Sequence, residues 1–149
     1  MHHKLSFRRK LQAFFLSLLL VLLTAAGVPS AAYTAEAASA DTTMAVHFLD
    51  VGQGLSILVQ SRGENLLYDG GDRGHSSFVV SYLQKQNIST IDYMISSHYD
   101  EDHVAGLVGC LDSFSVKNVI GADYVQDTKI YQSFENEVSS QGLMLHRTQ

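Results

Sequence analysis

Four side chains that can bind a metal ion, all within six residues, constrain this chain more than any other feature. They follow the spacing H-x-D-x-D-H and are His98, Asp100, Asp102 and His103. Residues 91–96 before them are rich in β-branched and aromatic side chains and predict a strand, whereas residues 104–111 after them predict the start of a helix. A loop between a strand and a helix lets side chains at these spacings converge on one point, which a regular strand or helix would not do. The sequence therefore predicts a metal-binding loop at a strand-to-helix junction.

The ligand types indicate which ions would suit this loop. Two imidazoles and two carboxylates favour zinc, and the carboxylates shift the preference somewhat towards manganese or iron. Two alternatives need no metal: Asp102 could cap the helix that it precedes, and acidic loops are often simply solvated. The concentration of four ligands at one junction favours metal binding over both.

Three motifs, in this order along the chain, resemble the metallo-β-lactamase superfamily and, within it, the hydrolase domain of ComEC-type competence proteins. They are VHFLDVGQG at 46–54, YDGG at 68–71 and SHYDEDHVAGL at 97–107. The third is similar to the first metal motif of the superfamily, usually H-x-H-x-D-H, in the variant with Asp in place of the second His. A dinucleotide-binding glycine loop would be followed by a helix, whereas a strand is predicted after GQG. Turn geometry is therefore the expected role of these glycines.

The resemblance implies an α/β fold that is the N-terminal half of a four-layer αββα sandwich, with a mixed sheet and flanking helices. It implies two divalent metal ions as cofactors, with zinc as the first choice and manganese as the alternative. His98 and Asp100 would hold one ion, and Asp102 and His103 the other. Asp102 would also be the catalytic group that orients the attacking water. Asp69 would support the metal loop from behind the ligands, the alternative being an Asx turn.

The resemblance also implies that residues 41–149 form a domain truncated before its second half. The bridging Asp and two His that the family carries there have no counterpart after His103, since His146 stands in a different context. The implied reaction is metal-assisted hydrolysis of a phosphodiester, plausibly DNA, if the second half is supplied. A non-catalytic fragment is one alternative, and a β-lactam or thioester hydrolase is another. A half-sandwich would expose an apolar sheet face, which predicts self-association.

Residues 1–40 predict a signal peptide, and hence a secreted or extracytoplasmic protein. Four basic residues precede the apolar run 11–23, and Ala38-Ser39-Ala40 is the best cleavage site. The alternative is an uncleaved membrane anchor, since residues 11–28 are close to the roughly 17-residue lower limit for a bilayer span. Residues 41–149 hold 6 Lys and Arg against 14 Asp and Glu, a net charge of about −8. Any nucleic-acid substrate must therefore be met by metal ions or by a local basic patch.

Overall fold

The computed structural model describes residues 43–148. The chain divides between Ala38 and Ser39, and the part described here belongs to the second unit. The expected leader, residues 1–40, lies outside the described residues, so its cleavage and its membrane contact stay predictions. Within residues 43–148, no helix is both long enough and apolar enough to cross a membrane.

The described residues form six strands and three helices, joined by turns and one short 3-10 turn. In chain order these elements are β1 (Met44–Phe48), β2 (Ile57–Ser61), β3 (Glu64–Tyr68), the 3-10 turn (Arg73–His75), α1 (Ser76–Lys85), β4 (Thr90–Ser96), α2 (Glu101–Ser113), β5 (Ser115–Ala122), α3 (Lys129–Ser140) and β6 (Leu145–Thr148).

The six strands form one mixed sheet in which spatial order equals chain order, β1 to β6. The pairs β1–β2 and β2–β3 are antiparallel, and the pairs from β3 to β6 are parallel. Each parallel connection contains a helix and moves one place in the same direction. Because such crossovers are right-handed, all three helices lie on the same face of the sheet. The predicted α/β fold, with a mixed sheet, an antiparallel edge and flanking helices, is confirmed.

The core lies between this helix layer and the sheet. The strand register aligns Leu58, Leu67, Met94 and Val119 in a row across four strands, and all four are fully buried. From α1, Val79 and Leu83 are also fully buried. The apolar spacing along α1 predicts that Phe78 is buried with them, but this side chain is 43% exposed. On this flank of α1 the Phe78 ring contacts Tyr82, whose hydroxyl is 2.9 Å from His47 Nδ1 of β1, so the flank is only partly covered.

The second face of the sheet carries no helix from residues 43–148. Val46, Phe48 and Tyr93 belong to this face and are exposed, Phe48 by 77%. An exposed sheet face with apolar side chains is the feature that predicts association between copies of this chain. Self-association through this face stays a prediction.

Candidate metal centre

The four predicted ligands lie where β4 ends and α2 begins. His98 and Asp100 are in the connection, while Asp102 and His103 are in the first turn of the helix. The prediction that the helix starts at residue 104 is wrong, since α2 starts at Glu101. Acidic residues such as Glu101 and Asp102 are favourable in a first turn because the helix dipole places positive partial charge there. The metal motif therefore includes the helix start instead of preceding it.

The structure brings three of the four ligands to one point. His98, Asp102 and His103 each offer an atom within 4.8 Å of the others, and the two imidazole rings have centroids 3.9 Å apart. Asp100 lies outside this group. One of its carboxylate oxygens is 3.6 Å from His98 Nε2, and the other accepts a hydrogen bond from Gln126 Nε2 at 3.2 Å. On the other side, Asp102 Oδ2 is 3.8 Å from His103 Nε2. The four side chains thus form two imidazole–carboxylate pairs.

Asp69 lies directly behind these ligands and is fully buried. Its Oδ1 accepts a hydrogen bond from the Ser97 backbone N–H at 2.8 Å, and its Oδ2 accepts from Ser97 Oγ at 2.6 Å. Oδ2 is also 2.9 Å from His103 Nδ1. The backbone of Asp69 is left-handed, with φ of 57°, which Asp tolerates better than most residues. One buried carboxylate therefore ties the end of β3 to the connection and to α2.

These contacts decide which nitrogen of each neutral imidazole carries the proton. Ser97 has one hydroxyl proton, which it donates to Asp69, so its oxygen must accept from His98 Nδ1 at 2.9 Å. His103 Nδ1 must likewise donate, because a carboxylate only accepts. Both Nε2 atoms are then left with a lone pair on the side of Asp100 and Asp102. A metal ligand held in its tautomer by a hydrogen bond at the other ring nitrogen is the usual arrangement in metal sites. This donor set fits a divalent cation, and the His98, Asp102 and His103 group suggests divalent-metal binding.

Two glycines let the YDGG turn approach α2 at backbone distance. Gly70 N–H donates to the His103 carbonyl at 2.7 Å, and Gly106 N–H donates to the Gly71 carbonyl at 3.0 Å. A Cβ on Gly106 would overlap the Gly70 carbonyl oxygen, and a Cβ on Gly70 would overlap the Leu107 amide nitrogen. The position of His103 therefore depends on the absence of side chains at both glycines.

The GQG loop between β1 and β2 also reaches the site. Gly52 and Gly54 have φ of 65° and 108°, which confirms the predicted turn role. A Cβ on Gly54 would overlap the Asp102 carbonyl oxygen. The first and third motifs, about 50 residues apart in the chain, are thus in contact beside a predicted ligand.

Tyr99, between the ligands His98 and Asp100, points away from them into the core and is fully buried. Its hydroxyl donates to the Ala122 carbonyl at 2.7 Å, and its ring centroid is 4.5 Å from that of Tyr131. Burial raises the pKa of Tyr99, so the phenol stays neutral at physiological pH. Sequence reasoning assigned no role to Tyr99 or Ser97. The burial of Tyr99 could have been inferred from the sequence. Side chains alternate in direction along an extended segment, so the residue between two converging ligands must point away from them.

Comparison with known proteins places the site in a family. The family model described as the Metallo-beta-lactamase superfamily matches residues 49–128, which is more than half of the chain. Recombination protein 2 of Haemophilus influenzae is 39% identical over 77 residues, covering 48% of this chain and 10% of that protein. Competence protein ComA of Neisseria gonorrhoeae is 36% identical over 63 residues, covering 42% of this chain and 9% of that protein. The chain spans about a tenth of the length of these relatives.

Two solved structures are similar at low identity. The metallo-β-lactamase SMB-1, bound to 2-mercaptoethanesulfonate, is 22% identical with a TM-score of 0.45, covering 50% of this chain and 29% of that one. A diphosphatase from the PhnP family is 19% identical with a TM-score of 0.40, covering 64% and 37%. The stretch that matches the family model includes the residues of the candidate centre. By its match to the family model, the chain belongs to the metallo-β-lactamase superfamily.

Proposed function

We propose that this chain is a metal-dependent phosphodiesterase that acts on nucleic acid. The observation that carries the proposal is the pair of Nε2 lone pairs on His98 and His103, each beside a carboxylate within 4 Å. Two such pairs would give each of two neighbouring divalent ions about two protein ligands, one short of the three that a catalytic ion usually has, so further ligands from outside this loop would complete each site. The names of the curated relatives, recombination and competence, denote processes that move DNA, which supports nucleic acid as the substrate class.

In this proposal each side chain has a defined task. His98 and Asp100 hold one ion, and Asp102 and His103 hold the other, with zinc as the first choice and manganese as the alternative. When bound, the ions supply electrostatic stabilisation of the phosphoryl oxygens and a lower pKa for water. Asp102, whose side chain is 30% exposed, orients the attacking water and accepts its proton. Asp69 holds His103 in the tautomer that leaves Nε2 free.

The test is metal content and hydrolysis measured on one preparation. We expect about two equivalents of zinc or manganese per chain and hydrolysis of bis(p-nitrophenyl) phosphate, a small diester. His98→Ala should abolish hydrolysis and lower the bound metal. His146→Ala is the matched control, because His146 is an exposed histidine of β6 outside the ligand group. Less than one equivalent of metal and no hydrolysis would instead support the non-catalytic alternative. Cleavage of a β-lactam or thioester without phosphodiesterase activity would contradict the proposed substrate class.

We also propose export of the domain across the cytoplasmic membrane. The basic start and apolar run of residues 1–40 support this. Mass spectrometry of the mature N-terminus tests it: a new terminus near Ala40 is expected, and an intact, cytoplasmic protein would contradict it.

A further inference from the structure

Basic side chains are scarce in the described part of this acidic chain, and two of them lie beside the candidate metal centre. Residues 43–148 contain six, which are Arg62, Arg73, Lys85, Lys117, Lys129 and Arg147. Lys117 and Arg147 are held in ion pairs of 2.6 Å and 2.8 Å with Asp92 and Glu135. Arg73 and Lys129 instead border open cavities that touch the predicted ligands.

Two cavities adjoin the ligand group. A cavity of about 450 Å³ is lined by Asp102 together with Gln53, Gly74 and Asp72. A second cavity of about 330 Å³ is lined by Asp100 together with Gln126, Thr128 and Lys129. Arg73 and Glu101 line both cavities, so this pair of side chains stands between them. The two cavities therefore extend from the predicted ligands in two directions.

The charges in these cavities explain why a polyanion would need both metal ions and basic side chains in order to bind. Four carboxylates line the cavities, so without cations the surface repels a phosphate. Arg73 pairs with Glu101 at 3.4 Å, but both side chains are mostly exposed, and such pairs contribute little. A phosphate can therefore replace Glu101 as the partner of Arg73 at small cost. Metal ions at Asp100 and Asp102 would neutralise the carboxylates nearest to the incoming strand.

We propose that Arg73 and Lys129 bind the phosphates that flank the scissile bond, so that the site takes an internal phosphodiester of a nucleic-acid strand. The inference rests on the proposed function and specifies its substrate. A strand continuing on both sides of the centre places a phosphate in each cavity, whereas a small diester has no flanking phosphate to offer to Arg73 or Lys129. Arg suits the position between the cavities because its planar fork can contact a phosphate with two donors.

The test uses binding in place of turnover. A fluorescently labelled single-stranded oligonucleotide with hydrolysis-resistant phosphorothioate linkages is titrated with manganese-loaded protein, and anisotropy is followed at several salt concentrations. Each phosphate contact to a single strand contributes about 0.7 to the slope of log affinity against log salt. We expect Arg73→Gln and Lys129→Gln each to lower the slope by about 0.7. Lys85→Gln makes the same charge change at the far end of α1 and should leave the slope unchanged.

Hydrolysis of bis(p-nitrophenyl) phosphate by the same samples separates the two proposals. This diester has no flanking phosphate, so its hydrolysis by the wild-type protein tests the metal centre alone, and Lys85→Gln, which lies outside the proposed contacts, should keep the wild-type rate. Wild-type slopes in Arg73→Gln and Lys129→Gln would overturn the present inference, even with the diester hydrolysed. A wild-type protein without diester hydrolysis would refute the proposed function, even if the slopes changed as expected.

Discussion

The contact between Gly70 and Gly106 leads to a sharp prediction for Gly106→Ala. The new Cβ would overlap the Gly70 carbonyl oxygen, which belongs to the backbone and has no rotamer to change. Either α2 or the YDGG turn must move. His103 lies one turn before Gly106 on the same helix, so this movement displaces a predicted metal ligand as well.

Two opposing effects set the size of the change. Alanine is more favourable than glycine inside a helix by about 0.8–1 kcal/mol. Against this, overpacking costs about 1–3 kcal/mol. The movement also threatens the backbone hydrogen bonds from Gly70 to His103 and from Gly106 to Gly71, each contributing about 0.5–1.5 kcal/mol. The clash therefore outweighs the helix propensity, and we expect Gly106→Ala to lower the free energy of unfolding by about 1–5 kcal/mol.

Urea unfolding followed by circular dichroism measures this difference, with Gly109→Ala as the control. Gly109 lies on the same helix, but its added Cβ would overlap only the Ser76 hydroxyl, which can rotate away, and would make ordinary contacts with Val80. The control should therefore unfold at or slightly above the wild-type midpoint, whereas Gly106→Ala should unfold roughly 0.5–2.5 M earlier at an m-value of about 2 kcal/mol per M. If the two variants unfold within about 0.5 kcal/mol of each other, the steric reasoning is wrong.

Two further predictions concern buried carboxylates. A hydrogen bond from Lys117 at 2.6 Å lowers the pKa of Asp92 below its ordinary 3.8. The resulting stabilisation is present at neutral pH and is lost as the pH falls through the folded-state pKa. Asp92→Asn should therefore lower the urea midpoint at about pH 7, and this effect should shrink as the pH is lowered below about 3.8; an effect of constant size would contradict the argument. Asp69→Asn places an amide where a carboxylate accepts from Ser97 and His103, and this favours the other imidazole tautomer of His103. Metal affinity should then fall about 10–100-fold in a chelator competition titration. An unchanged affinity would refute the tautomer argument.

The strands and helices could be predicted closely because each has a clear periodicity and ends at a recognisable residue. The sequence predicts β4 at 91–96, and the strand is Thr90–Ser96. It also predicts Asp127 or Thr128 as the cap of α3, and Thr128 takes this role by accepting from the Tyr131 N–H at 3.3 Å. Because serine is a favoured cap residue, the sequence predicts a cap of α1 at Ser76 or Ser77, but both residues lie inside the helix and this prediction is wrong. A 3-10 turn leads directly into α1, and the Asp72 side chain accepts from the His75 N–H before the helix begins. A short turn of this kind has no hydrophobic period to reveal it.

The ligands of the candidate centre could be predicted because they are adjacent in the chain, whereas the groups that orient them could not. Ser97 orients His98 only because it also touches Asp69, 28 residues earlier. The close approach of Gly70 to Gly106 likewise depends on the packing of β3 beside β4. A resemblance could indicate that Asp69 supports the loop, but only the three-dimensional contacts reveal that one carboxylate acts on both imidazoles.

The strand order has a consequence for how the sheet can assemble. Every strand pairs with the one made just before it, so a segment leaving the ribosome meets a partner that is already present. No part of the described sheet has to wait for a distant segment, and even Asp69 and His103 are only 34 residues apart. The loops that bring the ligands together are therefore short. Because the entropic cost of closing a loop grows with the logarithm of its length, short loops keep this cost low.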